Sequence, residues 1–401
     1  MNFRDPEKIL LHWWNRFEQF FKRRGLAVLE RIFVREVITP AMVDPAAIRR
    51  ILVIRQHDYL GDFLLATPVL RALRERFPHA HIGVLVRQYT AGVAAHNPYI
   101  DEVLTFEEHG WNWTPRKLWQ FWRQLRRGWD LTIVLNTVSH SLTSDILASL
   151  SRARYCLGSA ERIFPGCSRN FFYNLIAPAG SENRHQTDRN LDIVRYLGID
   201  TSDHSENMTL TEQDRGFAAA FLQHHGVSHK DRLVTMHLGA GKINNRWPIA
   251  QFATLSNLLY QDYAVKILAA WGPQETALGE QYLQALTFTP IILKNVSLRQ
   301  FAAVLAQTEA YVCNDTGVMH VGAAVGAKLV AIFGPTDPEF WKPKGKQIVA
   351  LRGNNNDCAA VTAEHVLQAL LHLIFPPLER RKPASPASAQ EGTPPVSATL
   401  S

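Results

Sequence analysis

The sequence contains three clusters whose residue types and spacing could do chemistry, and each follows a short apolar run. The first is Arg55-Gln56-His57-Asp58-Tyr59-Leu60-Gly61-Asp62. A glycine at 61 would let the backbone turn tightly and send the Asp62 carboxylate outward, where it could accept a proton from a hydroxyl nucleophile. Capping of a following helix fits the same aspartate equally well. The loop has no GxGxxG pattern, so it is not a dinucleotide fingerprint. The second cluster is His237-Leu238-Gly239-Ala240-Gly241-Lys242, then Arg246-Trp247-Pro248. Its glycines allow a phosphate to approach the backbone, and Arg246 can add a bidentate contact; a surface turn with a solvated arginine is the plainer reading. The third is Asn314-Asp315-Thr316-Gly317-Val318-Met319-His320, followed by Gly334-Pro335-Thr336-Asp337-Pro338. Asp315, Thr316 and Gly317 open an expected helix, whose free N–H groups and positive dipole end suit a diphosphate. Asp315 also fits an ordinary N-cap, and capping and cradling can coexist.

These clusters need a scaffold that brings strand ends together. Apolar runs at Ile51–Arg55, His81–Val86 and Asp130–Leu135 read as strands, with a helix over Pro68–Phe77 between the first two. The pattern recurs with strands at Leu233–His237, Val265–Ala270, Ala310–Asn314 and Leu329–Phe333. Helices are expected over Ile249–Tyr260, Gln274–Leu286, Ser297–Gln307 and Val318–Val325. Strands alternating with helices imply parallel sheets and right-handed crossovers. The expected fold is therefore α/β, two Rossmann-like doubly wound domains facing a central cleft, with ligands at the carboxyl ends of the strands. The divisions fall at an extension over 1–47, a first domain over 48–207, a second over 208–375, and a Pro/Ser/Ala-rich tail over 376–401 expected to be disordered.

A chain of 401 residues has room for two such cores. Its net charge of +7 and pI near 9.3 suit an anionic partner: a nucleotide, a phosphorylated glycan or an acidic membrane surface. The basic residues are scattered and match no nucleic-acid-binding signature, so no nucleic-acid partner is expected. Cys156, Cys167, Cys313 and Cys358 have neither CxxC nor finger spacing, a usage that fits a reducing compartment. No stretch has a signal-peptide pattern, and no apolar run reaches the roughly 18 residues of a membrane-spanning helix. In the extension, Leu10, Trp13, Trp14, Phe17, Phe20 and Phe21 recur at helical spacing ahead of Lys22-Arg23-Arg24. That is the pattern of an interfacial membrane helix, and equally of a helix packed on the protein's own surface.

Taken in order, the clusters resemble the ADP-heptose–lipopolysaccharide heptosyltransferases of glycosyltransferase family 9. The matching residues are Gly61-Asp62 with Thr67-Pro68, then Arg246-Trp247-Pro248, then Asp315 to His320 with Gly334 to Pro338, and the likeness spans roughly residues 50–375. The resemblance implies a GT-B fold and an inverting transfer of heptose from ADP-heptose to the lipopolysaccharide inner core, or lipid A–linked acceptor. In it Asp62 is the general base and Arg246 stabilises the diphosphate. Gly239, Asp315, Thr316, Gly317 and His320 bind the donor, with Glu275 near the ribose, while Arg55, Asp58 and Gly61 lie on the acceptor side. His57-Asp58 departs from the family's usual Ser-Ser, and the extension stands outside its core. No DxD triplet or paired histidine geometry occurs, so no metal or other cofactor is expected. The implied location is the cytoplasmic face of the inner membrane. Rival readings are a transferase or epimerase for another nucleotide sugar on the same fold, and a non-catalytic nucleotide-sugar-binding scaffold at the membrane.

Overall fold

The structure is a computed structural model that describes residues 25–374 apart from 27, 109–111 and 139. The aromatic segment from Leu10 to Arg24 and the tail from Pro376 lie outside the described residues.

Two six-stranded, wholly parallel sheets organise the chain. The first contains β1 (Arg50–Arg55), β2 (His81–Arg87), β3 (Glu102–Phe106), β4 (Leu131–Val134), β5 (Tyr155–Ser159) and β6 (Leu175–Ala177), in the order β3-β2-β1-β4-β5-β6. The second contains β7 (Leu233–His237), β8 (Lys266–Ala270), β9 (Ile291–Leu293), β10 (Ala310–Asn314), β11 (Leu329–Phe333) and β12 (Ile348–Arg352), in the order β12-β11-β10-β7-β8-β9. The orders are the same doubly wound pattern. In each sheet it reverses between the first and fourth strands, opening a crevice at β1/β4 and at β7/β10. The loops that follow β1, β7 and β10 carry the three chemical clusters, so topology alone delivers them to the crevices.

The central strands are buried throughout: Ile51 to Ile54 in β1, Leu233 to His237 in β7 and Tyr311 to Asn314 in β10. Burial on both faces is what a parallel sheet demands, and it explains the continuous apolar runs. One apolar cluster crosses the two halves, taking Leu60, Phe63 and Leu64 from the first and Met319 and Val321 from the second. The four cysteines are unpaired, and Cys313 is a fully buried residue of β10. No described helix is long and apolar enough to cross a membrane.

The Arg246-Trp247-Pro248 segment is anchored by its middle residue. The Trp247 ring is 1% exposed, packs edge-on to Phe252 and donates its indole N–H to the Val361 carbonyl at 2.7 Å. The Trp247 backbone N–H donates to the Asn314 side chain at 2.9 Å, joining the loop after β7 to the end of β10. Trp247→Ala removes the largest of these contacts, and a loss of about 3–5 kcal/mol in unfolding free energy is expected from denaturant melts. A loss below about 1 kcal/mol would show that the site can collapse around the gap.

Candidate active site

A cleft of about 680 Å³ opens between the two halves. Tyr59, Leu60, Gly61, Asp62 and Tyr89 form its wall on the first half, and Lys242, Asn245, Asp315, Thr316, Gly317, His320 and Thr336 its wall on the second. Asp62 therefore faces the expected donor loops across one space.

The first wall is a short helix, Leu60–Leu64, placed directly after β1. Asp62 sits in its first turn and its carboxylate accepts a hydrogen bond from the Tyr59 backbone N–H at 3.4 Å, so it caps the turn while lining the cleft. Gly61 does not make the tight turn expected of it. It lies within the helix, with no left-handed backbone angle. Its lack of a side chain serves close approach instead: a Cβ there would stand 2.7 Å from Cδ2 of His320. The facing helix, Gly317–Ala324, answers with Gly317, where a Cβ would stand 3.2 Å from the Leu60 Cβ.

His320 is the meeting point. Its Nδ1 is 2.8 Å from Oε1 of Glu206, a fully buried carboxylate on the segment joining the two halves. Burial alone would depress the imidazole. The Glu206 carboxylate, its hydrogen bond, and the charges of Asp315 and Asp62 reverse that and hold His320 above the ordinary histidine value. The second oxygen of Glu206 has no hydrogen-bond partner among the described residues. A lone glutamate in a linker has no local signal, and only the folded contact shows its role.

Thr316 is the N-cap of the Gly317–Ala324 helix, without a side-chain cap bond. This corrects the reading of Asp315 as the cap. The Asp315 carboxylate turns to the Asn245 amide, which donates to it at 2.8 Å, and it interacts with Thr336 and Lys242. Burial raises its pKa, against the pull of Thr336, His320 and Lys242. Thr316 and Gly317, at the start of this helix, both line the cleft.

Arg246, Gly239 and Glu275 form a second group next to the cleft wall but outside its lining. Arg246 Nε donates to the Ala240 carbonyl at 2.8 Å, and its Nη2 stands 3.9 Å from Glu275. Glu275 accepts the Gly272 N–H at 2.8 Å and occupies the space a Cβ on Gly239 would fill, only 1.8 Å from that position. Gly239 was expected to admit a phosphate; in this structure it admits the Glu275 carboxylate. Gly241, which has nothing within 4 Å of its Cβ position, is the glycine open to the cleft.

Arg55 and Asp58 also behave differently from acceptor contacts. Arg55 is buried and donates to the backbone carbonyls of Leu135 and Asp62, the latter at 3.0 Å, while pairing with the Asp58 carboxylate. Neither residue lines the cleft. Burial pushes Asp58 up to about 7, with Arg55 opposing and Asp62 reinforcing. The first half presents two aromatic residues to the cleft that sequence reasoning missed: Tyr59 and Tyr89, 73% and 58% exposed. Arg87 lies over the Tyr59 ring at 5.4 Å. Among the described residues, no group of three or more His, Cys, Asp or Glu side chains could hold a metal ion.

Two doubly wound domains with a cleft between their strand ends make up the GT-B fold. The sequence profile of glycosyltransferase family 9 (heptosyltransferase) matches residues 118–370, and the chain belongs to that family. It is similar to lipopolysaccharide heptosyltransferase 3 of Escherichia coli, with 23% identity over 295 residues, 72% of this chain and 85% of that protein. Among solved structures it is similar to a family 9 glycosyltransferase from Veillonella parvula, with a TM-score of 0.72, 24% identity and 81% of this chain and 97% of that chain covered. The E. coli ADP-heptose lipopolysaccharide heptosyltransferase II gives a TM-score of 0.67 at 21% identity, covering 81% and 98%. The protein is a glycosyltransferase.

Glu206→Gln tests the seam electrostatics. Without the carboxylate, burial dominates and the His320 imidazole is expected to titrate below its parent value in an NMR pH titration. The sign for stability follows: a raised histidine pKa contributes most below the ordinary value of 6.5 and fades as pH rises through the folded value. The variant should therefore be less stable by about 1–3 kcal/mol near pH 6, with the gap narrowing as pH rises. An unchanged His320 titration would remove Glu206 from this role.

Proposed function

We propose that the chain transfers heptose, with inversion, from ADP-heptose to the inner core of lipopolysaccharide at the cytoplasmic face of the inner membrane, with Asp62 as the base. The observation that carries this is the opposition of Asp62 to Lys242, Thr316 and Gly317 across a single cleft. An acceptor hydroxyl is a poor nucleophile until its proton leaves. Asp62 takes that proton as the hydroxyl oxygen bonds to the anomeric carbon, while the bond from that carbon to the diphosphate oxygen breaks and ADP departs. Negative charge grows on the leaving diphosphate. Lys242, the free N–H groups at Thr316–Gly317 and, from the neighbouring group, Arg246 oppose it. These groups supply the charge a metal supplies in other transferases, so turnover is expected to persist in EDTA. The donor's named counterpart is the E. coli ADP-heptose enzyme of the same fold, and the acceptor's is the lipopolysaccharide heptosyltransferase relative.

His320 belongs to this reading as an organiser. Its contact with Gly61 holds the base wall against the donor wall, and Glu206, Asp315 and Asp62 raise its pKa. Glu275, paired with Arg246, takes the donor's ribose side.

ADP release from ADP-heptose, measured with and without a core acceptor, tests the proposal as a whole. Asp62→Asn keeps the size of the side chain and its acceptor oxygen but cannot take the proton. It should retain ADP affinity and thermal stability while kcat falls about 10²–10⁴-fold. Near-parent transfer by this variant would leave Asp62 as a helix cap only.

Arg246→Ala should weaken ADP binding and slow turnover, since the charge it meets grows in the transition state. A loss of about 2–4 kcal/mol in kcat/KM is expected. Unchanged kinetics would confine Arg246 to its local bonds with Ala240 and Glu275.

A further inference from the structure

We infer that the helix Pro115–Leu125, on the flank of the first half, is a docking surface for an anionic lipid bilayer. Its inward side is narrow: Phe121 and Leu125 are 7% and 0% exposed and pack with Leu52, Leu85 and Leu104 of the sheet. Its outward side exposes three large apolar residues, Leu118 at 54%, Trp119 at 60% and Trp122 at 44%. At 3.6 residues per turn these three fall on one arc, interleaved with Arg126 and bordered by Arg123 and Arg116. Arg123 lies over the Trp119 ring at 5.4 Å and Arg126 over the Trp122 ring at 5.0 Å.

Charge separates this face from an ordinary solvated helix. Residues 115–127 carry five basic side chains and no acidic one, Pro-Arg-Lys-Leu-Trp-Gln-Phe-Trp-Arg-Gln-Leu-Arg-Arg. Lys117 and Arg127 are neutralised from the inward side by Glu107 and Glu102 at 2.6 and 2.7 Å. Arg116, Arg123 and Arg126, on the outward arc, form no ion pair among the described residues. Exposed tryptophans at the level of unpaired arginines match a bilayer's interface: the rings enter the headgroup boundary while the guanidinium groups meet lipid phosphates. A second copy of this chain would offer the like-charged face, which disfavours it as the occupant.

Two placements fit the surface to a lipid-borne acceptor. In a parallel sheet a crossover helix begins at the carboxyl ends of the strands, which puts Pro115 on the cleft side. A chain of contacts then leads to the cleft rim. Lys117 pairs with Glu107, the adjacent Glu108 pairs with Arg87 at 3.2 Å, and Arg87 covers Tyr59. Second, Leu29 and Phe33, in the described part of the extension, pack against the same apolar cluster as Phe121 and Leu125. Leu29, Phe33 and this helix therefore share one apolar layer on the first sheet.

Flotation of the full-length protein with vesicles of phosphatidylglycerol and phosphatidylcholine, against phosphatidylcholine alone, tests the surface without donor or acceptor, so it is independent of which sugar is transferred. The parent should partition onto the anionic vesicles. Two variants address the two halves of the argument: Leu118→Ser with Trp119→Ser and Trp122→Ser, and Arg116→Gln with Arg123→Gln and Arg126→Gln. Each is expected to lower the partition coefficient about tenfold or more. All six side chains lie on the outward arc, so thermal stability and ADP affinity should stay at parent values. Parent-like flotation of both variants overturns the inference and leaves any membrane affinity to the extension; so does failure of the parent to bind. A concentration-dependent dimer in the parent, lost in the tryptophan variant while flotation persists, would instead assign the face to self-association and overturn it equally.

Discussion

The imidazole of His320 can reach the seam between the two halves only because residue 61 has no side chain. That one clearance fixes the site. The ring occupies the space beside Gly61, its Nδ1 is held by Glu206 of the connecting segment, and its backbone belongs to the helix that opens at Gly317. Three separate pieces of chain thus meet on a single side chain. Asp62 is the next residue after Gly61, and Thr316 and Gly317 lie one turn before His320, so the separation of the cleft walls is set by this contact rather than by loop conformation. Cores and seams packed this closely do not deform gradually; a methyl group at 61 must displace the ring or the helix carrying it. The charge arrangement follows from the same contact. The Glu206 carboxylate and the charges of Asp315 and Asp62 surround the imidazole and raise its pKa against the effect of its burial.

The parts of this arrangement that were legible in the sequence are those with a local signature. Central strands such as β1, β7 and β10 are buried on both faces and so appear as unbroken apolar runs. The edge strands β6 and β9 are only three residues each, β12 is half-buried along its whole length, and β3 alternates with Glu102 and Thr105. The helix Leu60–Leu64 was hidden because five residues cannot show a period. Asp62, Asp315, Thr316 and His320 stood out as loop residues after strands, and the fold gathers them. Glu206 did not, since nothing near it in sequence marks it; its partner lies 114 residues away. Gly61 and Gly239 were noticed for the right property, small size, but assigned to the wrong neighbour. One admits a histidine and the other a glutamate, where a turn and a phosphate were expected.

The second-half wall shows how a loop that lines the cleft is kept rigid without regular structure. Asn314, at the end of β10, donates to the Leu238 and Gly239 carbonyls at 3.0 and 3.1 Å and accepts from the Trp247 N–H. Asn245 bridges to both the carbonyl and the carboxylate of Asp315. The loops after β7 and β10 are therefore one cross-linked unit, anchored below by the buried Trp247 ring. Lys242 and Gly241 project from that unit into the cleft with few bonds of their own. Rigid support under sparsely bonded contact residues is the arrangement that lets backbone N–H groups and a lysine meet an anion without reorganising.

Asp58 illustrates why a perturbed pKa is not by itself a mark of catalysis. Raised to about 7, it has the value a general base is expected to have. The cause, however, is burial, and its carboxylate faces the Arg55 guanidinium rather than the cleft. The same guanidinium donates to the Asp62 carbonyl and to Leu135, the residue directly after β4. Arg55 thus ties the Asp62 turn to the neighbouring strand end across the crevice, and Asp58 holds Arg55 in the geometry that does so. A change at Asp58 would reach the cleft only through the position of Asp62. Exposure to the cleft distinguishes Asp62 from Asp58.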